Sequence, residues 1–127
     1  MHKMHIIIAG SRGFNDYELV ENFMMDYLGH LIGKIDIEVI SGGCARGADR
    51  LGERFAREHG LGLRVVRADW AGRGLAAGPQ RNEQMARMAG TLVAFWDGKS
   101  SGTRDMIRRG NKYCQVVKVV RTDLIAS

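Results

Sequence analysis

The chain has almost no proline or cysteine, with one and two residues respectively in 127. Cys44 and Cys114 are far apart, and neither belongs to a C-x-x-C or to a cysteine–histidine pair with metal spacing. That pattern argues against a disulfide framework or a zinc site, and reduced, buried or half-buried thiols are expected, with no metal and no cofactor. No apolar run reaches the length of a membrane span, and Met1-His2-Lys3-Met4 leads straight into a strand-like run, so a soluble cytoplasmic protein without a membrane partner is expected. Neither common phosphate-loop signature is present: there is no G-x-G-x-x-G and no G-K-[ST]. The few aromatics are not interleaved with basic residues as stacking along a nucleic-acid strand requires. No Ser–His–Asp order emerges, and His2, His5, His30 and His59 are read as incidental.

What is present fits one domain spanning residues 1–127, long enough to bury a core without staples. The formal net charge of +5 admits nucleic acid, an anionic surface or a phosphorylated small molecule, and does not choose among them. Arg46, Arg50 and Arg54 recur every fourth residue, with Arg57 close behind, which predicts a ridge on a helix. Because Asp49, Glu53 and Glu58 are interleaved with them, a solvated, ion-paired face is the expected use.

His5–Ala9 is a short β-branched run ending in Gly10-Ser11-Arg12-Gly13, which reads as a buried first strand and its exit loop. Asn15 and Glu18 have capping-box spacing, and Phe14 with Leu19 has the spacing of a hydrophobic staple, so a helix is predicted from about Asp16 to just before Gly33. A second strand over Ile35–Ile40 leads into Ser41-Gly42-Gly43-Cys44-Ala45-Arg46-Gly47-Ala48-Asp49, followed by a helix over roughly Ala48–His59. A third strand, Leu61–Val66, precedes a glycine- and alanine-rich stretch from Ala68 to Gly78 with no clear period, read as a long loop in which Trp70 either has a functional role or tucks the loop down. Pro79 suits the first turn of the next helix, which carries Arg81, Asn82, Met85 and Met88. Thr91–Trp96 is a fourth strand, about Thr103–Arg109 a shorter helix, Gln115–Val120 a fifth strand, and Thr122–Ser127 a loosely held tail.

Strands separated by helical segments imply right-handed crossovers and an α/β, Rossmann-like, doubly wound parallel sheet with helices on both faces. For five strands the simplest order is 3-2-1-4-5, whose switch point lies between strands one and four, and ligands bind there, outside the carboxyl ends of the strands. The loops beginning Gly10-Ser11-Arg12, Ser41-Gly42-Gly43 and Asp97 would then share one rim. Glycines at such junctions let backbone amides close on an anion.

Ile8-Ala9-Gly10-Ser11-Arg12, the stretch Ser41 to Asp49, Gly78-Pro79-Gln80-Arg81-Asn82, and Ala94-Phe95-Trp96-Asp97-Gly98-Lys99-Ser100-Ser101-Gly102-Thr103 together resemble the SLOG superfamily of Rossmann-like nucleotide-binding domains. The nearest likeness is to its single-domain branch of bacterial and phage proteins related to YspA. The first two motifs also resemble the corresponding elements of the DNA-processing protein DprA. The resemblance implies binding or sensing of a nucleotide or nucleotide-derived ligand, and a homodimer. It also brings two alternatives. One is a phosphoribohydrolase of the LOG type, or another nucleotide hydrolase; the other is DprA-like binding of single-stranded nucleic acid. LOG enzymes carry a P-G-G-x-G-T-x-x-E loop, and here Gly102-Thr103 is kept while Met106 stands at the glutamate position, with Asp105 one residue early.

The expected ligand- or phosphate-binding residues are Gly10, Ser11, Arg12, Ser41, Gly42, Gly43, Gly47, Asp49, Arg81, Asn82, Ser101, Gly102 and Thr103. Within this set Ser11, Ser41, Ser101 and Thr103 offer hydroxyls, and Arg12 offers a bidentate fork. Asp49 is read as an acceptor for a ribose hydroxyl or as a charge favoured in a first helical turn. Asp105 and Arg81 are the weak catalytic candidates. Trp96 is assigned to closing the core in preference to stacking on a base.

Overall fold

A computed structural model describes residues 3–125, so His2 and the end of the predicted tail lie outside the described residues. Five strands, β1 (Lys3–Gly10), β2 (Asp36–Ser41), β3 (Gly62–Val65), β4 (Thr91–Trp96) and β5 (Val116–Arg121), form one parallel sheet in the order β3-β2-β1-β4-β5. This is the Rossmann-like arrangement the strand and helix pattern predicts. Its centre, β1, is buried on both faces, which is why Ile6, Ile7, Ile8 and Ala9 run without polar alternation.

Successive side chains of a strand point to opposite faces, so this run serves two cores at once. Ile6 and Ile8 pack with Val39, Phe55, Val93 and Phe95 beneath helices α1 (Tyr17–Leu28) and α2 (Ala48–Glu58). Ile7 and Ala9 pack with Ile40, Met85, Leu92 and Met106 beneath α4 (Ala77–Met88) and α5 (Ser101–Tyr113). Each fully buried isoleucine contributes about 1.5–3 kcal/mol. On the first face Phe14 and Phe95 stack at 5.5 Å between ring centroids, which brings the loop after β1 down onto β4.

Several boundaries differ from the sequence reading. Asp16, not Asn15, caps α1, accepting from the Leu19 amide at 3.1 Å. That helix closes at Leu28 in a 3₁₀ turn, Gly29–Leu31, before Gly33 turns the chain at φ +84°. The stretch predicted as a long loop holds the short helix α3 (Trp70–Arg73) and a 3₁₀ turn (Gly74–Ala76), and α4 follows directly; Pro79, its third residue, is in the first turn as expected, while Arg81 and Asn82 lie beyond that turn. Helix α5 runs through Gly110 to Tyr113. A Cβ on Gly110 would fall 2.5 Å from Leu92 Cδ2, so glycine is retained there for close approach to the sheet despite its helical cost of about 1 kcal/mol. In the tail, Thr122 and Leu124 donate backbone hydrogen bonds to Trp96 and Arg121, which fastens the segment as far as the description reaches.

Candidate functional site

At the carboxyl ends of β1, β2 and β4 a cleft of about 1050 Å³ opens between the loops that leave these strands, helix α3 and the starts of α4 and α5. Ser11 is the knot of the first loop. Its amide donates to the Phe95 carbonyl at 3.0 Å and its carbonyl accepts from the Ala48 amide at 3.2 Å. Its hydroxyl accepts from the Asp97 amide at 3.1 Å and lies 2.9 Å from Ser100 Oγ. The side chain is buried and holds the exits of β1 and β4 together, while Arg12, next along, is exposed on the cleft.

The second loop turns at Gly43, whose φ of +76° suits glycine and whose Cβ would press on Val65. Arg67 Nη1 donates to the Gly43 carbonyl at 3.1 Å and Arg81 Nη1 to the Gly42 carbonyl at 2.6 Å, so two arginines from outside the loop fix its path along the cleft. Asp49 reaches back from α2 to accept from the Cys44 amide at 3.2 Å. Burial pushes the Asp49 carboxyl above its ordinary value, against the opposing pull of that amide and of the Arg81 and Arg12 charges.

The third loop is organised by Asp97. Its carboxylate accepts from the amides of Ser100 at 2.8 Å and Lys99 at 2.9 Å, and Ser100 Oγ lies 2.9 Å from both its oxygens. Those two backbone bonds, Ser100 first, hold the carboxyl at about 2. With its hydroxyl turned to Asp97 and Ser11, Ser100 begins α5 without a side-chain cap. The first amides of an α-helix have no intrahelical acceptor, and here they belong to Ser101, Gly102 and Thr103, all on the cleft wall at the positive end of the helix dipole. A Cβ at Gly102 would meet nothing within 4 Å, and Ser101 and Gly102 are exposed.

Asn82, buried on α4, joins that helix start to the cleft floor by donating to the Gly102 carbonyl at 3.3 Å and to Asp105 Oδ2 at 3.0 Å, and it accepts from Arg81 Nε at 3.0 Å. Asp105 also receives Arg109 Nε at 2.9 Å and Arg108 Nη2 at 3.0 Å. Burial alone pushes its carboxyl up, but the donors from Asn82 and Arg109 outweigh it and hold the group below the usual carboxylate range. Met106, at the glutamate position of the LOG loop, is 2% exposed with its side chain in the core beside Leu92.

Residues 4–72 match the model of the YspA, cpYpsA-related SLOG family, just over half of the chain. The protein belongs to this SLOG family. It is also 36% identical over 113 residues to the Gene 61 protein of Mycobacterium phage D29, a similarity covering 84% of this chain and 88% of that protein. No solved structure gives a match. The segment matched to the SLOG family carries the first two loops, whereas Arg81, Asn82 and the head of α5 lie beyond it.

Of the residues expected at the site, Gly10, Ser11, Arg12, Gly42, Gly43, Asp49, Arg81, Asn82, Ser101, Gly102 and Thr103 come together on the cleft, with Asp105 beside them. Ser41 and Gly47 do not. Ser41 is 0% exposed and its hydroxyl donates to Glu53 Oε2 at 2.7 Å while accepting from the Gly43 amide, so it shapes the loop from behind. Gly47 lies against Arg12 and Ser11, where a Cβ would fall 2.5 Å from Arg12 Cα, and lets α2 start tight against the first loop. Sequence reasoning missed Cys44, Arg67, Leu75 and Ser100 on the wall of this SLOG cleft. Cys44 and Ser100 lay inside stretches the sequence singles out without being assigned to the site, whereas Arg67 and Leu75 carried no signal. Among the described residues no group of three or more His, Cys, Asp or Glu side chains could hold a metal ion. No helix among the described residues is long and apolar enough to cross a membrane.

Proposed function

We propose that the cleft binds a nucleotide or nucleotide-derived small molecule and that the protein acts as a binding or sensing module. The observation that carries this reading is the uncapped head of α5, whose free amides at Ser101 to Thr103 share one wall-to-wall cleft with Arg12 and Arg81 at the switch point of the sheet. Helix amides and guanidinium forks are the donors that a phosphate group takes up. Membership of a SLOG family agrees with a nucleotide-related ligand.

Hydrolysis is the weaker reading. Glycosidic cleavage needs a carboxylate free to act on the ribose or the departing base, help worth ~10²–10⁴ in rate. Asp105 is instead clamped by Asn82, Arg108 and Arg109, Met106 carries no carboxylate, and Asp49 is committed to the Cys44 amide. The test is calorimetry of the wild-type protein with the four common ribonucleoside monophosphates, beside chromatographic detection of free base and mass spectrometry of small molecules released on denaturation. Binding with little or no base released is the expected result. Robust base release that disappears in Asp105→Asn would overturn the sensing reading and make Asp105 the catalytic carboxylate.

A further inference from the structure

Among the described residues lining the cleft, Trp70 is the single aromatic, and the residue is 50% exposed. The other large rings are occupied elsewhere. Phe14 and Phe23 both pack on Phe95, and Trp96 donates from Nε1 to the Ser100 carbonyl at 3.1 Å with Arg104 and Arg121 over its ring. Trp70 has no such commitment, yet it is well positioned. Helix α3 is capped by Asp69, which accepts from the Gly72 amide at 3.0 Å, and is tied to α4 by Arg73 Nη1 donating to Gln80 Oε1 at 2.9 Å. The outer edge of the indole rests on buried Gly78, where a Cβ would stand 3.1 Å from Cη2. A glycine in the first turn of a helix, at some cost in helix stability, thus makes room for the ring. Leu75, 92% exposed, lines the same cleft.

The cleft is therefore lined by two kinds of surface: helix amides and arginines, and an indole with a leucine. An exposed indole and a leucine together inside a cleft are apolar surface that a ligand gains by covering, and the indole face suits a planar ring. Resting on the nucleotide reading of this cleft, we infer that Trp70 is a specificity-determining residue that stacks on the heteroaromatic base of the ligand while the head of α5 takes its phosphate. The ligand class is then a base-bearing phosphate and not a sugar phosphate alone. Selectivity among bases follows the area of the ring that the indole covers.

The experiment compares wild type, Trp70→Ala and Trp70→Phe by calorimetry against the four common ribonucleoside monophosphates and against ribose 5-phosphate, with quenching of intrinsic fluorescence as a second readout. Trp70 is half exposed on a short surface helix, so the variants are expected to fold, and thermal unfolding checks it. Trp70→Ala is expected to weaken the nucleotides roughly ten- to hundredfold, with ribose 5-phosphate changed by less than about twofold and Trp70→Phe keeping most of the affinity. Nucleotide binding to wild type is expected to quench fluorescence, and the quench to be largely absent in Trp70→Phe. Unchanged nucleotide affinity in Trp70→Ala, or an equal loss for nucleotides and ribose 5-phosphate, overturns the stacking role alone. Failure of wild type to bind any of these probes overturns the nucleotide reading itself, and the stacking role with it.

Discussion

The side-chain amide of Asn82 spans the gap between α4 and α5, 3.0 Å from Asp105 Oδ2 and 3.3 Å from the Gly102 carbonyl oxygen. One buried side chain thereby sets where the amide edge of α5 stands relative to Arg81, whose Nε it accepts. Removing it leaves the Asp105 carboxylate one donor short and takes the second donor from the Gly102 carbonyl, which keeps its helical partner.

Asn82→Ala is accordingly expected to lower unfolding stability by about 1–3 kcal/mol in chemical denaturation, the cost of losing three hydrogen bonds made by a buried side chain, two of them to charged groups. The same variant is expected to weaken nucleotide binding, because the helix head is no longer held. An unchanged denaturation midpoint would show that Arg109 and Arg108 alone fix Asp105.

Much of this architecture was legible in the chain. Three strand-like runs leading into Gly10, Ser41 and Asp97 announced the strands whose ends meet at the cleft, and the 3-2-1-4-5 order brought their loops to one rim. Ser41 was misplaced for a reason the sequence already held: residues 37, 39 and 41 share a face of β2, and Ile37 and Val39 belong to the core under α2, so Ser41 points to Glu53 on that helix. Helix α3 is only four residues long, far below the length at which a helix announces itself, and it exists through its cap at Asp69 and its packing on Gly78. Gly110 read as a helix end because its true reason, the nearness of Leu92, is a contact across 18 residues.

The anion site is best tested at Gly102, not at Gly43. Valine at Gly43 would be strained by the φ of +76° and would crowd Val65, which mixes stability with binding. Gly102 has open space and sits in the first turn of α5, where a carboxylate is favoured by about 0.3–1 kcal/mol. Gly102→Asp is expected to keep or raise Tm while lowering affinity for a nucleoside monophosphate by more than about tenfold, since opposing like charges cost on the order of several kcal/mol. Retained affinity in this variant would place the phosphate elsewhere.

The arginines of α2 are occupied. Arg54 Nε lies 2.6 Å from Glu58 with its guanidinium 3.8 Å over the Tyr17 ring, Arg57 pairs with Glu53, and Arg50 donates to the Ala45 carbonyl. Any binding of single-stranded nucleic acid is therefore expected to be weak and lost near roughly 0.15 M salt, with the steep salt dependence of phosphate contacts. Tight binding at that salt in a filter or fluorescence-polarisation assay, abolished by Arg50→Glu with Arg54→Glu, would favour a nucleic-acid partner over a small nucleotide.

Acid stability isolates Asp97. Its carboxyl is held at about 2 by the Ser100 and Lys99 amides, whereas in the unfolded chain it returns to about 3.9. A folded value below the unfolded one means that the unfolded chain binds more protons, so the stabilisation is fully present above about pH 4 and is lost as pH falls toward 2. Asp97→Asn keeps an oxygen acceptor for the two amides but removes the charge. In unfolding titrations it is expected to lower stability at pH 7 and to flatten the fall between about pH 4 and pH 2. Because Asp97 also orients Ser100, and Ser100 leads the uncapped turn of α5, nucleotide affinity is expected to fall in wild type over the same acid range, beyond what ligand protonation accounts for. An acid limb as steep in Asp97→Asn as in wild type would assign the loss to other carboxylates and leave the Asp97 loop without a part in it.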